Sequence, residues 1–314
     1  MSARVPLRIG TRGSPLARYQ AGAVRDALVA AHAHLAEPGA LEITIIRTTG
    51  DAVRDRALAD IGGKGLFTKE IEQALLDGAV DMAVHSMKDV PTWLPDGLAI
   101  PCLLAREDPR DALVAGGVAS ISALAQGAVV GTSSVRRQAQ LLSKRPDLEV
   151  VLFRGNVGTR LRKLRAGEVD ATLLALAGLR RLALVDEAGA VPLDPAEMLP
   201  AVGQGAIGVE CRAGDDRVRE LLAPLDHAPT ATAIAAERAL LAALDGSCRT
   251  PIAGLGELDG AGGLRLRVLV ARPDGSAVHT TERRGPASEA VALGADAGRE
   301  LRVAAGPGFF DDAG

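Results

Sequence analysis

Short apolar runs recur along roughly the first two-thirds of the chain, each followed by a Gly- or Pro-bearing turn and then a segment with helical spacing. Leu7 to Gly10 reads as a strand, and Thr11-Arg12-Gly13-Ser14-Pro15 as the turn after it, with Ser14 placed to cap a helix and Pro15 at its first position. That helix is expected to reach about Ala33. Leu41 to Arg47 has the β-branched content of a buried strand, Phe67 to Leu76 is an amphipathic helix stopped by Gly78, and Met82 to Val84 and Leu98 to Leu104 are further strands. From Ala112 the pattern restarts, through strands ending at Val130, Phe153 and Ala175, to a helix around Gly178 to Leu184. Strand and helix alternating in this way predict an α/β fold with parallel sheets.

Arg106 to Asp111 is a polar crossing segment and Val191 to Pro200 is Pro-bearing and loop-like, so the restarted run reads as a second α/β domain inserted into the first. Gly203-Gln204-Gly205-Ala206-Ile207-Gly208 matches G-x-G-x-x-G, yet Gly208 to Cys211 looks like a strand and not the helix a dinucleotide site needs. The glycines are expected instead to let backbone return closely past a site. Asp216 to Leu222 and Thr230 to Leu244 are helices. Strands near Ile252 to Leu258, Leu264 to Ala271 and Ala277 to Arg284, and a last helix from about Ser288, predict a small α+β domain with an antiparallel meander.

Composition narrows the function classes. Hydrophobic residues make up 47% of the 314 positions but aromatics only 2%, so cores are built from Ala, Leu and Val, and base-stacking surfaces are scarce. Lys+Arg 36 against Asp+Glu 39 leaves a net charge of -3, which makes any basic site a local focus and a nucleic-acid partner unexpected. The N-terminal MSARVPLRIG has no apolar signal core, and no apolar run approaches membrane-spanning length. A soluble, cytoplasmic chain is expected. Cys102, Cys211 and Cys248 fit a reducing compartment, and the histidines offer no metal site.

Against that near-neutral background, arginines stand where a structural helix would avoid them. Thr132-Ser133-Ser134 supplies an N-cap, and Arg136 and Arg137 follow in the first helical turn, where cations oppose the macrodipole. Such a pair faces an anion. Arg154-Gly155-Asn156-Val157-Gly158-Thr159-Arg160 repeats the corner, and Arg12 arms a third. Together they describe a site for several carboxylates or phosphates at the C-terminal edge of a parallel sheet, with Arg162, Lys163 and Arg165 left to a solvated face. Lys88 and Asp89 end a buried strand, and a carboxylate among cationic corners implies work with positive charge. Thr48 to Leu66, with Gly62-Gly63-Lys64-Gly65, has the composition of a lid but lacks a P-loop ending. Cys102 and Cys211 read as core thiols, whereas Cys248, in Asp245-Gly246-Ser247-Cys248-Arg249, has an electropositive setting that favours the thiolate.

TRGSPLA, GGKGLF, AVHSMKDVP, GTSSVRRQ, RGNVGTRL, LPAVGQGA and the GSC loop before Pro251 occur in one order along nearly the whole chain. The ordered set resembles the porphobilinogen deaminase family, also called hydroxymethylbilane synthases. The resemblance implies α/β architecture with two lobes like those of periplasmic binding proteins and a cleft between them, residues 5–104 with 204–223 and residues 105–203. Residues 224–314 would form a small α+β domain with an antiparallel sheet. It implies a transferase that condenses four porphobilinogen molecules head to tail with loss of ammonia, on a dipyrromethane cofactor joined to Cys248, and releases hydroxymethylbilane by hydrolysis. The family pattern places Lys88, Ser134, Arg136, Arg137 and Arg154 on the cofactor, with Lys64 as a lid contact, and Arg12, Ser14, Arg160, Arg181 and Gln204 on substrate. Asp89 would be the catalytic group, accepting from pyrrole N–H and removing the surplus proton. Asp60 stands where relatives often have a lysine before GGKG, so lid contacts depart from the pattern. No metal, nucleic acid or membrane is implied, and a monomer is the default.

Two other readings use the same residues. A two-lobed oxyanion-binding protein without turnover gives Cys248 no role. The effector-binding core of a transcription regulator needs a basic helix-turn-helix, and neither end of the chain has one.

Overall fold

The computed structural model describes residues 6–52, 65–245 and 250–309. β1 (Leu7–Arg12) runs into α1 (Pro15–Ala31), which Ser14 caps by accepting the Ala17 N–H at 3.2 Å. β2 (Leu41–Ile46) lies parallel to β1, and a single turn, α2 (Thr49–Ala52), follows. Residues 53–64, which hold most of the expected lid with Lys64, lie outside the described residues. α3 (Lys69–Leu76) begins two residues later than the apolar pattern implies, because Thr68, and not a residue before Phe67, takes the cap position. β3 (Met82–Ser86) and β4 (Leu98–Leu103) complete the first run.

The second run opens with β5 (Asp111–Val114), so Asp111 belongs to a strand and not to the crossing segment. β6 (Val129–Thr132), α4 (Val135–Lys144), β7 (Glu149–Leu152), α5 (Val157–Arg165) and β8 (Ala171–Ala175) follow the expected alternation. The expected helix around Gly178 to Leu184 is two pieces, α6 (Leu176–Arg181) and α7 (Val185–Ala188), since Ala183 takes a left-handed φ of 54°. Val191 and Pro192, expected in a loop, form a short β9 against β5. Its edge position tolerates a proline, whose missing N–H has no ladder partner to disappoint.

β10 (Ile207–Arg212) then returns to the first sheet and inserts antiparallel between β3 and β4. Gly205 makes the approach possible: it has φ +88°, and a Cβ there would stand 2.3 Å from the Glu107 carbonyl oxygen. α8 (Asp216–Leu222) and α9 (Ala228–Ala243) lead to an antiparallel sheet of β11 (Ile252–Leu258), β12 (Gly263–Ala271) and β13 (Val278–Pro286), closed by α10 (Ala290–Ala305).

The first sheet has the order β2-β1-β3-β10-β4 and the second β7-β6-β8-β5-β9. They are the same design: three parallel strands, then one antiparallel, then an edge strand paired antiparallel to that. The expected α/β lobes and antiparallel C-terminal domain are therefore present. One compact unit contains the described residues up to Ala52, from Gly65 to Arg106, and Ala206–Ala231; the other contains Glu107–Gly205 and the described residues from Thr232. In the first, Leu7, Ile9, Leu28, Met82, Val209 and Cys211 form the core; in the second, Leu113, Val130, Leu141 and Leu173 do so beneath the second sheet. Burying each such Leu or Ile contributes about 1.5–3 kcal/mol. The antiparallel sheet joins the second unit where Leu199 packs on Ala253 and Leu255. Cys102 and Cys211 are core residues as expected, and burial pushes their thiols up to about 12 and about 11.

Candidate active site

On the first unit, β3 ends at Ser86 and the chain tightens into a 3-10 turn over Met87–Asp89. Met87 and Val90 are buried and hold the turn down, with the Met87 N–H donating to the Ala206 oxygen at 3.0 Å, while Lys88 and Asp89 remain half-buried. Arg12, at the end of the neighbouring strand β1, lies with Nη1 3.7 Å from Asp89 Oδ2, and its guanidinium sits 4.0 Å over the Phe67 ring. The Asp89 side chain is 31% exposed, so this ion pair is screened by water and worth about 0–1 kcal/mol. Exchange of Arg12 for another cation or a donor is cheap. Ser14, the cap of α1, stands just beyond Arg12.

Beneath this turn is a pair that sequence reasoning missed. His85 Nε2 lies 2.9 Å from Glu210 Oε2, both buried, with Glu210 on β10 and His85 on β3. Burial raises the nearby Glu72 above the usual carboxylate range, and the charge on Glu210 adds to that. A histidine in the run MAVHS and a glutamate in the run IGVEC were the available signal.

On the second unit, Ser134 caps α4 by accepting the Arg137 N–H at 3.4 Å. Arg136 and Arg137 follow in its first turn and do meet an anion there. It is the chain's own Asp111. Arg136 Nη1 is 2.7 Å from Asp111 Oδ2, and Arg137 reaches Oδ1 with Nη2 at 2.7 Å and Nε at 3.2 Å. Arg136 and Arg137 also donate to the Leu199 and Leu173 carbonyl oxygens, each at 2.7 Å. Asp111 is fully buried, and the arginines are 4% and 5% exposed. Burial alone would raise the Asp111 carboxyl; the two guanidiniums outweigh it and hold the group far below the usual carboxylate range. Gln204, expected on substrate, is buried behind this cluster, its amide nitrogen donating to Pro109 O at 2.7 Å and Asp111 Oδ1 at 2.9 Å.

Arg160, in the first turn of α5, donates from Nε to Gly155 O at 2.9 Å and from Nη2 to Ser133 Oγ at 3.2 Å. Burial first, then the charges of Arg137 and Arg154, push it down to about 10. Three guanidiniums therefore crowd one sheet edge. Arg181 donates to Gly205 O at 2.7 Å, and Arg180 pairs with Glu107 at 2.8 Å. Arg162 and Arg165 face outward as expected, the latter on Glu187 at 2.7 Å. Lys64 and Cys248 lie outside the described residues.

The model of the porphobilinogen deaminase dipyromethane cofactor binding domain matches residues 7–220, and that of the porphobilinogen deaminase C-terminal domain matches residues 231–303. This chain belongs to the porphobilinogen deaminase family. The chloroplastic porphobilinogen deaminase of Oryza sativa subsp. japonica is 58% identical over 307 residues, covering 97% of this chain and 86% of the relative. Porphobilinogen deaminase of Paracoccus denitrificans (strain Pd 1222) is 58% identical over 307 residues, covering 98% and 96%. A periplasmic binding protein from Brucella ovis with glutathione bound matches at 18% identity with a TM-score of 0.40, covering 77% of this chain and 69% of that one; the fold rests instead on the strand orders above. Porphobilinogen deaminase activity, a transferase reaction of tetrapyrrole synthesis, follows from the family.

Proposed function

We propose that this chain joins four porphobilinogen molecules head to tail, with loss of one ammonia at each addition, on a dipyrromethane bound through a thioether to Cys248, and releases hydroxymethylbilane by hydrolysis. The observation that carries this reading is the gathering of Arg137, Arg154 and Arg160 at one sheet edge, where burial first and the neighbouring guanidiniums second push Arg160 down to about 10. A chain of pyrroles bearing an acetate and a propionate on each ring is the kind of ligand that needs it, because forked, permanently charged guanidiniums hold carboxylates in register. The donor set fits a polycarboxylate cofactor in a second way: Arg136 Nε is buried with no partner among the described residues. Ser134, Arg136, Arg137 and Arg154 would hold the cofactor's carboxylates with Lys88 and Lys64. When bound, the dipyrromethane supplies the pyrrole carbon to which the first substrate ring is joined.

Arg12, Ser14, Arg160 and Arg181 bind and orient the substrate carboxylates. Gln204 acts from behind, through Asp111. Asp89 accepts from the substrate's pyrrole N–H, opposes the positive charge that develops when ammonia leaves, and takes the surplus proton at its carboxylate oxygen. The weak, partly exposed contact with Arg12 leaves that oxygen able to change partners. The reading includes a cytoplasmic monomer of three domains, residues 5–104 with 204–223, 105–203 and 224–314, without nucleic-acid or membrane partners. The near-balanced charge supports the last point, as does the lack of any helix, among the described residues, long and apolar enough to cross a membrane.

Asp89→Asn tests the catalytic assignment. The variant is expected to purify with the cofactor attached, colouring with Ehrlich's reagent, while turnover falls about a hundredfold to a thousandfold. Wild-type turnover would remove Asp89 from its role.

A further inference from the structure

We infer that Asp111 is a positioning residue for the cofactor cradle, a fixed internal counter-ion that aims Arg136 and Arg137 and leaves their remaining donors for an incoming carboxylate. This rests on the reading that those arginines hold the cofactor. Arg137 is held at three points, Nε and Nη2 on Asp111 Oδ1 and Nη1 on Leu173 O, so its fork cannot turn without breaking all of them. Arg136 Nη1 bridges Asp111 Oδ2 and Leu199 O. The carboxylate cannot follow a moving arginine, because Gln204 ties Oδ1 to the Pro109 carbonyl.

Charge counting separates this cluster from an ordinary buried ion pair. Among the described residues, two guanidiniums on one carboxylate leave a single positive charge unmatched in a place where water is nearly excluded. The unspent donor at Arg136 Nε belongs to the same excess. Remove Asp111 and the two cations, buried side by side on one helical turn, repel each other and leave the geometry that receives the ligand. A carboxylate that merely competed with the ligand would have the opposite effect.

The test uses the full chain as purified, with the fraction carrying two added pyrrole units read by intact mass. Asp111→Asn keeps an oxygen that can accept from Arg137 and Gln204 but removes the charge; its loaded fraction is expected to fall at least tenfold. Incubating unloaded Asp111→Ala chain with porphobilinogen and formate is expected to restore loading, since formate can replace the missing carboxylate, whereas Asp111→Asn gains nothing from formate. Gln204→Leu leaves the charge and frees the carboxylate, and its loaded fraction is expected to fall at least twofold with a raised KM. If Asp111→Asn shows no cooperative melt, Gln204→Leu decides alone. Loading of Asp111→Asn at or above the wild-type level overturns the inference, as does wild-type loading of Gln204→Leu when the first variant does not fold. A wild-type chain found at its bare sequence mass would instead sink the cofactor reading on which the inference rests.

Discussion

Asp89 and Asp111 each meet arginine at the end of a β-strand, and the two corners differ in almost every physical respect. Asp89 is 31% exposed and lies 3.7 Å from one guanidinium; Asp111 is fully buried and within 2.7 Å of two. Water screens the first pair, so its energy is small and its partner replaceable. The second pair is shielded, and breaking it strands a charge in a medium that cannot solvate it. One residue type thus supplies a group free to act and a group that must not move. Distance and burial, not identity, make the difference.

Variants at the two arginine sets sharpen that contrast. Arg137→Leu leaves buried Asp111 with one partner fewer, and chemical denaturation is expected to show a loss of about 3–5 kcal/mol, together with failure to load the cofactor. Next in size is a pH effect. Because the folded Asp111 carboxyl lies below its unfolded value, its contribution is fully present above about pH 4 and is lost as the pH falls further toward the folded value. Asp111→Asn is expected to flatten that acid limb of the stability curve; an unchanged limb would place the acid sensitivity elsewhere. Ser134→Ala removes the cap of α4 and is expected to cost about 1 kcal/mol, with cofactor loading slowed because the same turn carries Arg136 and Arg137. Arg12→Leu is expected to change stability least, by no more than about 1 kcal/mol, while raising KM. A stability loss at Arg12 as large as that at Arg137 would erase the distinction between the corners.

Most of the architecture was legible because apolar runs and their turns are local signals. Ser14 and Ser134 cap the helices that their positions implied, and the G-x-G-x-x-G stretch leads into a strand, as its flanks required. The misses share one cause: a partner distant in sequence. Asp111 in Arg106 to Asp111 looks like one more polar loop residue until Arg136 and Arg137 neutralise it and allow a buried strand to begin there. His85 and Glu210 are 125 residues apart and become tolerable inside a sheet only as a pair. Gln204, which the resemblance places on substrate, has its amide nitrogen on Pro109 and Asp111, the latter 93 residues away in sequence. The arginine corners themselves were recognisable because cations in a first helical turn oppose the local field and so require an anion. Which anion, internal or bound, is decided by tertiary structure.

The most direct measurement is the intact mass of the purified wild-type chain in denaturing solvent, paired with a count of titratable thiols. The account predicts a chain heavier than its 32.3 kDa sequence by two pyrrole units, with only Cys102 and Cys211 of the three cysteines reacting. A chain at its sequence mass, with all three cysteines reacting, would contradict it.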